Sequence, residues 1–73
     1  MYIEKDEEFD LLYVGFGNKP TKGEVATTKE FVPGGYLDLD AEGRLVGIEI
    51  VNTKEVLGAP ASELRLPGET IKP

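Results

Sequence analysis

Asp38-Leu39-Asp40-Ala41-Glu42-Gly43, followed by Glu49, nearly reproduces the spacing of a calcium-binding loop. Carboxylates stand at the first, third and twelfth positions of such a loop and a glycine at the sixth, because calcium takes several hard oxygen ligands around one sharp turn. Only Glu42 deviates, standing where Asp or Asn is expected. The flanks argue against this chemistry. A calcium loop of this type joins two helices, yet Pro33-Gly34-Gly35 forbids a long incoming helix. On the far side Val46, Ile48 and Ile50 alternate as a strand does. The segment therefore reads as an acidic β-turn that holds no metal. Asp38, Asp40 and Glu42 remain its weak cation ligands.

Gly15-Phe16-Gly17-Asn18-Lys19-Pro20-Thr21-Lys22-Gly23 invites a phosphate-loop reading but has no Gly-Lys-Ser/Thr. Pro20 takes the place of the third glycine of a dinucleotide motif, so this is a strand end and a loop. Asp10 has the position of a catalytic acid beside a strand, but an Asp there more often caps the preceding turn through backbone N–H groups. Glu49, between Ile48 and Ile50, points away from their face and reads as solvated or paired with a lysine. Tyr13 and Tyr36 read as core or interface aromatics with polar tips. The chain has no His, no Cys and a single serine, Ser62. Ser–His and Cys–His nucleophilic chemistry is excluded, and a chain this short has little room for a deep cleft. The sequence reads as that of a non-enzyme, with no cofactor.

The elements that must carry these residues are strands. Turn residues punctuate the 73 residues at short, even intervals, the pattern of a mainly β domain built as a small antiparallel sheet or meander. Tyr2 to Lys5 reads as a first strand and Asp6-Glu7-Glu8 as a turn. Phe9 to Phe16 follows as the second strand and Glu24 to Phe31 as the third. Tyr36 to Asp40 and Arg44 to Val51 form the clearest hairpin, with Gly43 supplying the positive φ of its turn. Its register is open between two solutions. A type I turn with a glycine bulge sets Asp40 opposite Arg44, whereas the apolar alternation matches Leu37 and Leu39 with Val46, Ile48 and Ile50, one residue away. The apolar pattern is favoured, because a one-residue slip moves a whole apolar set to the wrong face. Asn52 and Glu55 then read as the start of one short helix, stopped by Gly58. Residues 2–58 make a single β-rich domain. Residues 59–73, with three prolines and the apolar patch Leu64-Arg65-Leu66, make a packed arm or a partly ordered tail.

Three segments together resemble a known family. They are Asp6-Glu7-Glu8-Phe9-Asp10-Leu11-Leu12-Tyr13-Val14, then Tyr36-Leu37-Asp38-Leu39-Asp40, then Gly43-Arg44-Leu45-Val46-Gly47-Ile48-Glu49-Ile50. In this order they resemble the domain-of-unknown-function family 2283 of small prokaryotic proteins, over residues 2–57. Leu11 departs from the small residue usual there, and Asn52-Thr53 from the commoner Asp-Ala. The resemblance implies a compact β-sheet domain with a short helix. It brings no established activity and no catalytic residues. From relatives encoded beside toxin-like genes, it implies an antitoxin-like or partner-binding role.

Composition narrows the partners. Fourteen acidic against eight basic residues give a net charge of −6, which repels a phosphate backbone and suits a basic protein partner. No basic cluster is tighter than Lys19 and Lys22, so direct nucleic-acid binding is not expected. Met1-Tyr2-Ile3-Glu4-Lys5-Asp6 is neither a signal peptide nor a lipidation motif, and no apolar run approaches a membrane span, so a cytoplasmic protein is expected. A core this small, without disulfide or zinc, is marginal alone. Phe9, Leu11 and Tyr13 fall on one face of the second strand, opposite Leu12, Val14 and Phe16. A strand apolar on both faces asks for a second layer: the arm, another subunit, or the short helix over Leu11 and Tyr13. The expectation is a self-associating interaction module, a homodimer through Phe9, Leu11 and Tyr13 that also serves as partner of a basic protein. The alternative is a small metal- or ligand-binding protein using Asp38, Asp40 and Glu42.

Overall fold

The computed structural model describes residues 1–21, 23–65 and 69–71. Five strands, β1 (Tyr2–Asp6), β2 (Leu11–Gly15), β3 (Thr27–Val32), β4 (Gly35–Leu39) and β5 (Leu45–Ile50), pair antiparallel in one sheet. A short helix, α1 (Thr53–Leu57), a 3₁₀ turn (Ala61–Glu63) and a last strand, β6 (Glu69–Ile71), complete the order. β6 adds to β1 in parallel, giving the sheet order β3-β4-β5-β2-β1-β6. The mainly β fold with one short helix after the last hairpin is thus the observed one. Lys22 and Leu66, singled out in the sequence, lie outside the described residues. Among the described residues no helix is long and apolar enough to cross a membrane.

Residues directly opposite on antiparallel strands share a face, so the pairings sort the sheet into two. Ile3, Val14, Ile48 and Leu37 form one cross-strand row; Lys5, Leu12, Ile50 and Gly35 form the next on the same face. Ile3, Leu12 and Ile50 are its buried centre, with Val14, Ile48, Val56 and Leu64 packed around them. Each large side chain buried there contributes about 1.5–3 kcal/mol. Lys5 is only 1 % exposed in this core, and its Nζ donates to the Leu64 carbonyl at 2.9 Å. This is the covered face, roofed by α1 and the chain that follows it.

The clearest hairpin adopts both of the registers that the sequence leaves open. At the turn, Asp40 N–H donates to Arg44 O at 2.9 Å and Gly43 N–H to Asp40 O at 3.0 Å, with Gly43 at φ 82°. Asp40 therefore stands opposite Arg44, and Leu39 pairs with Leu45. The register then shifts, and Asp38 pairs with Gly47 and Leu37 with Ile48. Val46 is the extra residue. Turn chemistry governs the tip and apolar matching governs the body, and one β-bulge joins them. A second bulge at Phe31 separates the pairs Glu30–Tyr36 and Val32–Gly35.

The second and third strands have limits that differ from the sequence reading. The second strand begins at Leu11 and ends at Gly15, not at Phe9 and Phe16. Phe9 lies in the preceding turn, 65 % exposed, and Phe16 is exposed just past the strand. The third strand begins at Thr27 rather than Glu24. The cause at the second strand is Asp10, whose φ of 56° is left-handed and breaks the extended chain.

Asp10 does not cap its own turn. Its Oδ2 accepts the backbone N–H of Lys54 at 2.8 Å, and its Oδ1 accepts that of Ala61 at 2.7 Å. Its carbonyl accepts both the N–H of Thr53 (2.9 Å) and the Thr53 hydroxyl (2.8 Å). Asn52, expected to cap α1, sits at φ 57° with no side-chain cap bond. A residue 42 positions away in the chain thus performs the capping, and pins the post-sheet segment to the core.

Candidate functional site

The other face of the sheet carries the site. Glu4, Tyr13, Glu49 and Tyr36 form one cross-strand row on it, from β1, β2, β5 and β4. Tyr2, Gly15, Gly47 and Asp38 form the next. Two glycines side by side leave bare backbone in the middle of this second row. The Tyr13 ring fills that space: a Cβ at Gly15 would lie 3.3 Å from its Cε2, and a Cβ at Gly47 2.7 Å from its Cζ. Glycine inside a strand often marks such a close approach. Tyr13 therefore leans diagonally across Gly15 and Gly47 toward the Asp38 end, and it also lines the groove above.

That groove encloses about 430 Å³ and is lined by Tyr2, Glu4, Tyr13, Asp38 and Glu49 from the sheet. The β2–β3 loop supplies its rim through Lys19, Pro20 and Val25, among others. The Tyr2 ring stands beside Tyr13, centroids 6.4 Å apart and planes tilted by 55°. Tyr2 Oη donates to Glu4 Oε1 at 2.8 Å. Thr28 Oγ1 donates to Asp38 Oδ1 at 2.7 Å, holding that carboxylate at the edge of the groove. A smaller hollow of about 220 Å³ adjoins Leu11, Asp6, Glu4 and Glu49 on the same face.

Electrostatically the groove favours cations. Burial first, and then the carboxylates of Asp38, Glu49 and Glu24, push the Tyr13 phenol up to about 12. All of these causes oppose a further negative charge there. The Tyr13 hydroxyl is buried, with the Asp38 carboxylate as its neighbouring acceptor.

The residues singled out in the sequence fall into separate places. Asp38 belongs to the groove. Asp40 and Glu42 remain in the turn and are engaged by Arg44. Asp40 Oδ1 accepts the N–H groups of Glu42 (3.0 Å) and Arg44 (2.8 Å), and its Oδ2 accepts Arg44 Nε at 3.1 Å. Glu42 Oε1 accepts Arg44 Nη2 at 3.2 Å. The Arg44 N–H, chiefly, holds Asp40 below the usual carboxylate range. The guanidinium thus occupies the oxygens a cation would need. No group of three His, Cys, Asp or Glu among the described residues is arranged to hold a metal.

Of the three residues expected at a dimer interface, Leu11 and Tyr13 are half-buried on the groove face, while Phe9 lies outside the strand. The three do not form one strand face, because the left-handed backbone of Asp10 separates Phe9 from the others. Glu49 is half-buried in the groove rather than solvated, and no lysine pairs with it among the described residues. The sequence assigns Tyr2, Glu4, Gly15 and Gly47 to no such site. A signal existed for the glycines, since each interrupts a run of strand-forming residues.

The family model described as protein of unknown function (DUF2283) matches residues 3–54. No curated protein and no solved structure matches the chain. With 52 of its 73 residues covered by that match, the chain belongs to the DUF2283 family.

Proposed function

We propose that this protein is a non-enzymatic protein-interaction module whose groove face receives a basic protein, in the manner of an antitoxin-like partner. The observation that carries the reading is the row Glu4–Tyr13–Glu49, flanked by Asp38, which lines an open groove with carboxylates and aromatic surface. The net charge of −6 supports it by drawing a cationic partner in. The test is titration calorimetry with a Lys/Arg-rich peptide against a neutral peptide of equal length. The basic peptide is expected to bind, more weakly as salt rises, and Glu49→Gln with Asp38→Asn is expected to reduce its affinity. Equal behaviour of both peptides, or an unaltered affinity in the double variant, would overturn the reading.

Self-association is the second reading, and it moves away from the Phe9 patch. β3 stands at the sheet edge with all six residues exposed, Phe31 and Val32 among them. An open edge of this kind pairs readily with another strand. Sedimentation velocity across a wide concentration range is expected to show a dimer that Val32→Asp dissociates. A monomer at every concentration removes this second reading.

A further inference from the structure

Resting on the basic-partner reading, we infer that the groove is an arginine receptor: it takes one guanidinium group of the partner, laid over the Tyr13 ring between the Asp38 and Glu49 carboxylates. Three features of the site select this chemistry. First, its charged groups from the sheet are all acceptors, the carboxylates of Glu4, Asp38 and Glu49. A guanidinium carries five N–H donors and no acceptor, so it is the complementary group. Second, the ring of Tyr13 lies across the bare backbone of Gly15 and Gly47, which leaves a flat aromatic floor, and the tilted Tyr2 ring beside it forms a wall. Planar cations stack on such a floor, and arginine does so more readily than lysine because its charge is delocalised in a plane and more weakly hydrated. Third, Glu49 stands directly across from Tyr13 on β5, while Asp38 stands on β4 at the hydroxyl end of the ring. The two carboxylates thus approach the ring from different directions. A forked donor can serve both together, whereas a compact ammonium is a point charge.

The test uses the full chain and three acetylated, amidated Gly/Ser peptides that differ at one position: Arg, Lys or the neutral isostere citrulline. Backbone and tyrosine-ring NMR shifts are followed during titration. The Arg peptide is expected to shift Tyr13, Gly47 and Glu49 and to bind about tenfold more tightly than the Lys peptide. The citrulline peptide is expected to leave these signals in place. Glu49→Gln is expected to weaken the Arg peptide several-fold while its thermal midpoint stays at the parent value. Tyr2→Leu serves as an independent check on the wall, with circular dichroism confirming the fold of both variants. Equal affinity for Arg and Lys at the groove overturns the guanidinium assignment and leaves the basic-partner reading standing. Failure of the single-residue peptides alongside binding of a polycationic peptide away from Tyr13 overturns the assignment of the groove. If no cationic peptide binds anywhere, both readings fall together.

Discussion

Replacing Asp10 by Ala removes the carboxylate that receives the N–H groups of Lys54 and Ala61 at 2.8 and 2.7 Å. The first bond is equivalent to a helix N-cap, worth about 1 kcal/mol. The second satisfies a donor on Ala61, which is fully buried, and an unsatisfied buried donor costs about 1–3 kcal/mol. Ala must also hold the left-handed φ of 56°, at about 1 kcal/mol more than Asp. The total, about 3–5 kcal/mol, is comparable to the whole stability that a core of this size supplies, about 3–5 kcal/mol. Asp10→Ala is therefore expected to be largely unfolded at room temperature. Asp10→Gly relieves only the backbone strain and should recover about 1 kcal/mol of the loss. Asp10→Asn tolerates the conformation and keeps one acceptor oxygen, so its loss should be about 1–2 kcal/mol. The carbonyl of residue 10, which holds Thr53, survives every substitution. Urea denaturation followed by far-ultraviolet circular dichroism measures the series, in the expected order Asp, Asn, Gly, Ala. An alanine variant within 0.5 kcal/mol of the parent, an estimate of surface-mutation scatter, would refute the latch.

Gly47→Ala places a Cβ 2.7 Å from Tyr13 Cζ and 2.8 Å from Val14 O, so it should cost about 1–3 kcal/mol. Because Val14 O is backbone, adding Tyr13→Ala should not rescue it; full rescue in a urea titration would show that only the ring was at fault. Raised from 10.0 to about 12, the Tyr13 phenol keeps its proton in the folded chain while the unfolded chain releases it. Its effect on stability is constant below pH 10, and stability falls as pH rises from about 10 toward 12. Alkaline unfolding curves should lose part of this slope in Tyr13→Phe, and identical slopes would contradict the assignment. With Asp40 and Glu42 engaged by Arg44, calcium is expected to give no saturable heat below the millimolar range. Micromolar, stoichiometric calcium binding lost in Asp40→Ala would show that the turn opens to the ion.

Particular elements show how far local chemistry carries. The strand and turn pattern from Tyr36 to Ile50 was legible because side-chain alternation and a positive-φ glycine act within a few residues. Its register needed both local rules, and neither alone predicts a bulge at Val46 that lets each hold in its own half. Asp10 shows the opposite case. Sequence context suggests a cap on its own turn, but Asp10 instead accepts the N–H groups of Lys54 and Ala61 from another part of the chain, which only folding brings within reach.

What the sequence by itself determined is the class of the molecule: a mainly β domain, acidic, without thiol or imidazole chemistry, its strands separated at Gly, Pro and acidic turns. These follow from backbone propensities and composition, which need no knowledge of neighbours. The groove belongs to the tertiary structure alone. Alternation reveals which residues share a face within one strand, but not that β2 lies between β1 and β5. Only that order sets Glu4 and Glu49 on either side of Tyr13, and Gly15 beside Gly47 beneath its ring. A row drawn from three strands is fixed by long-range hydrogen bonding, so no window along the chain contains it.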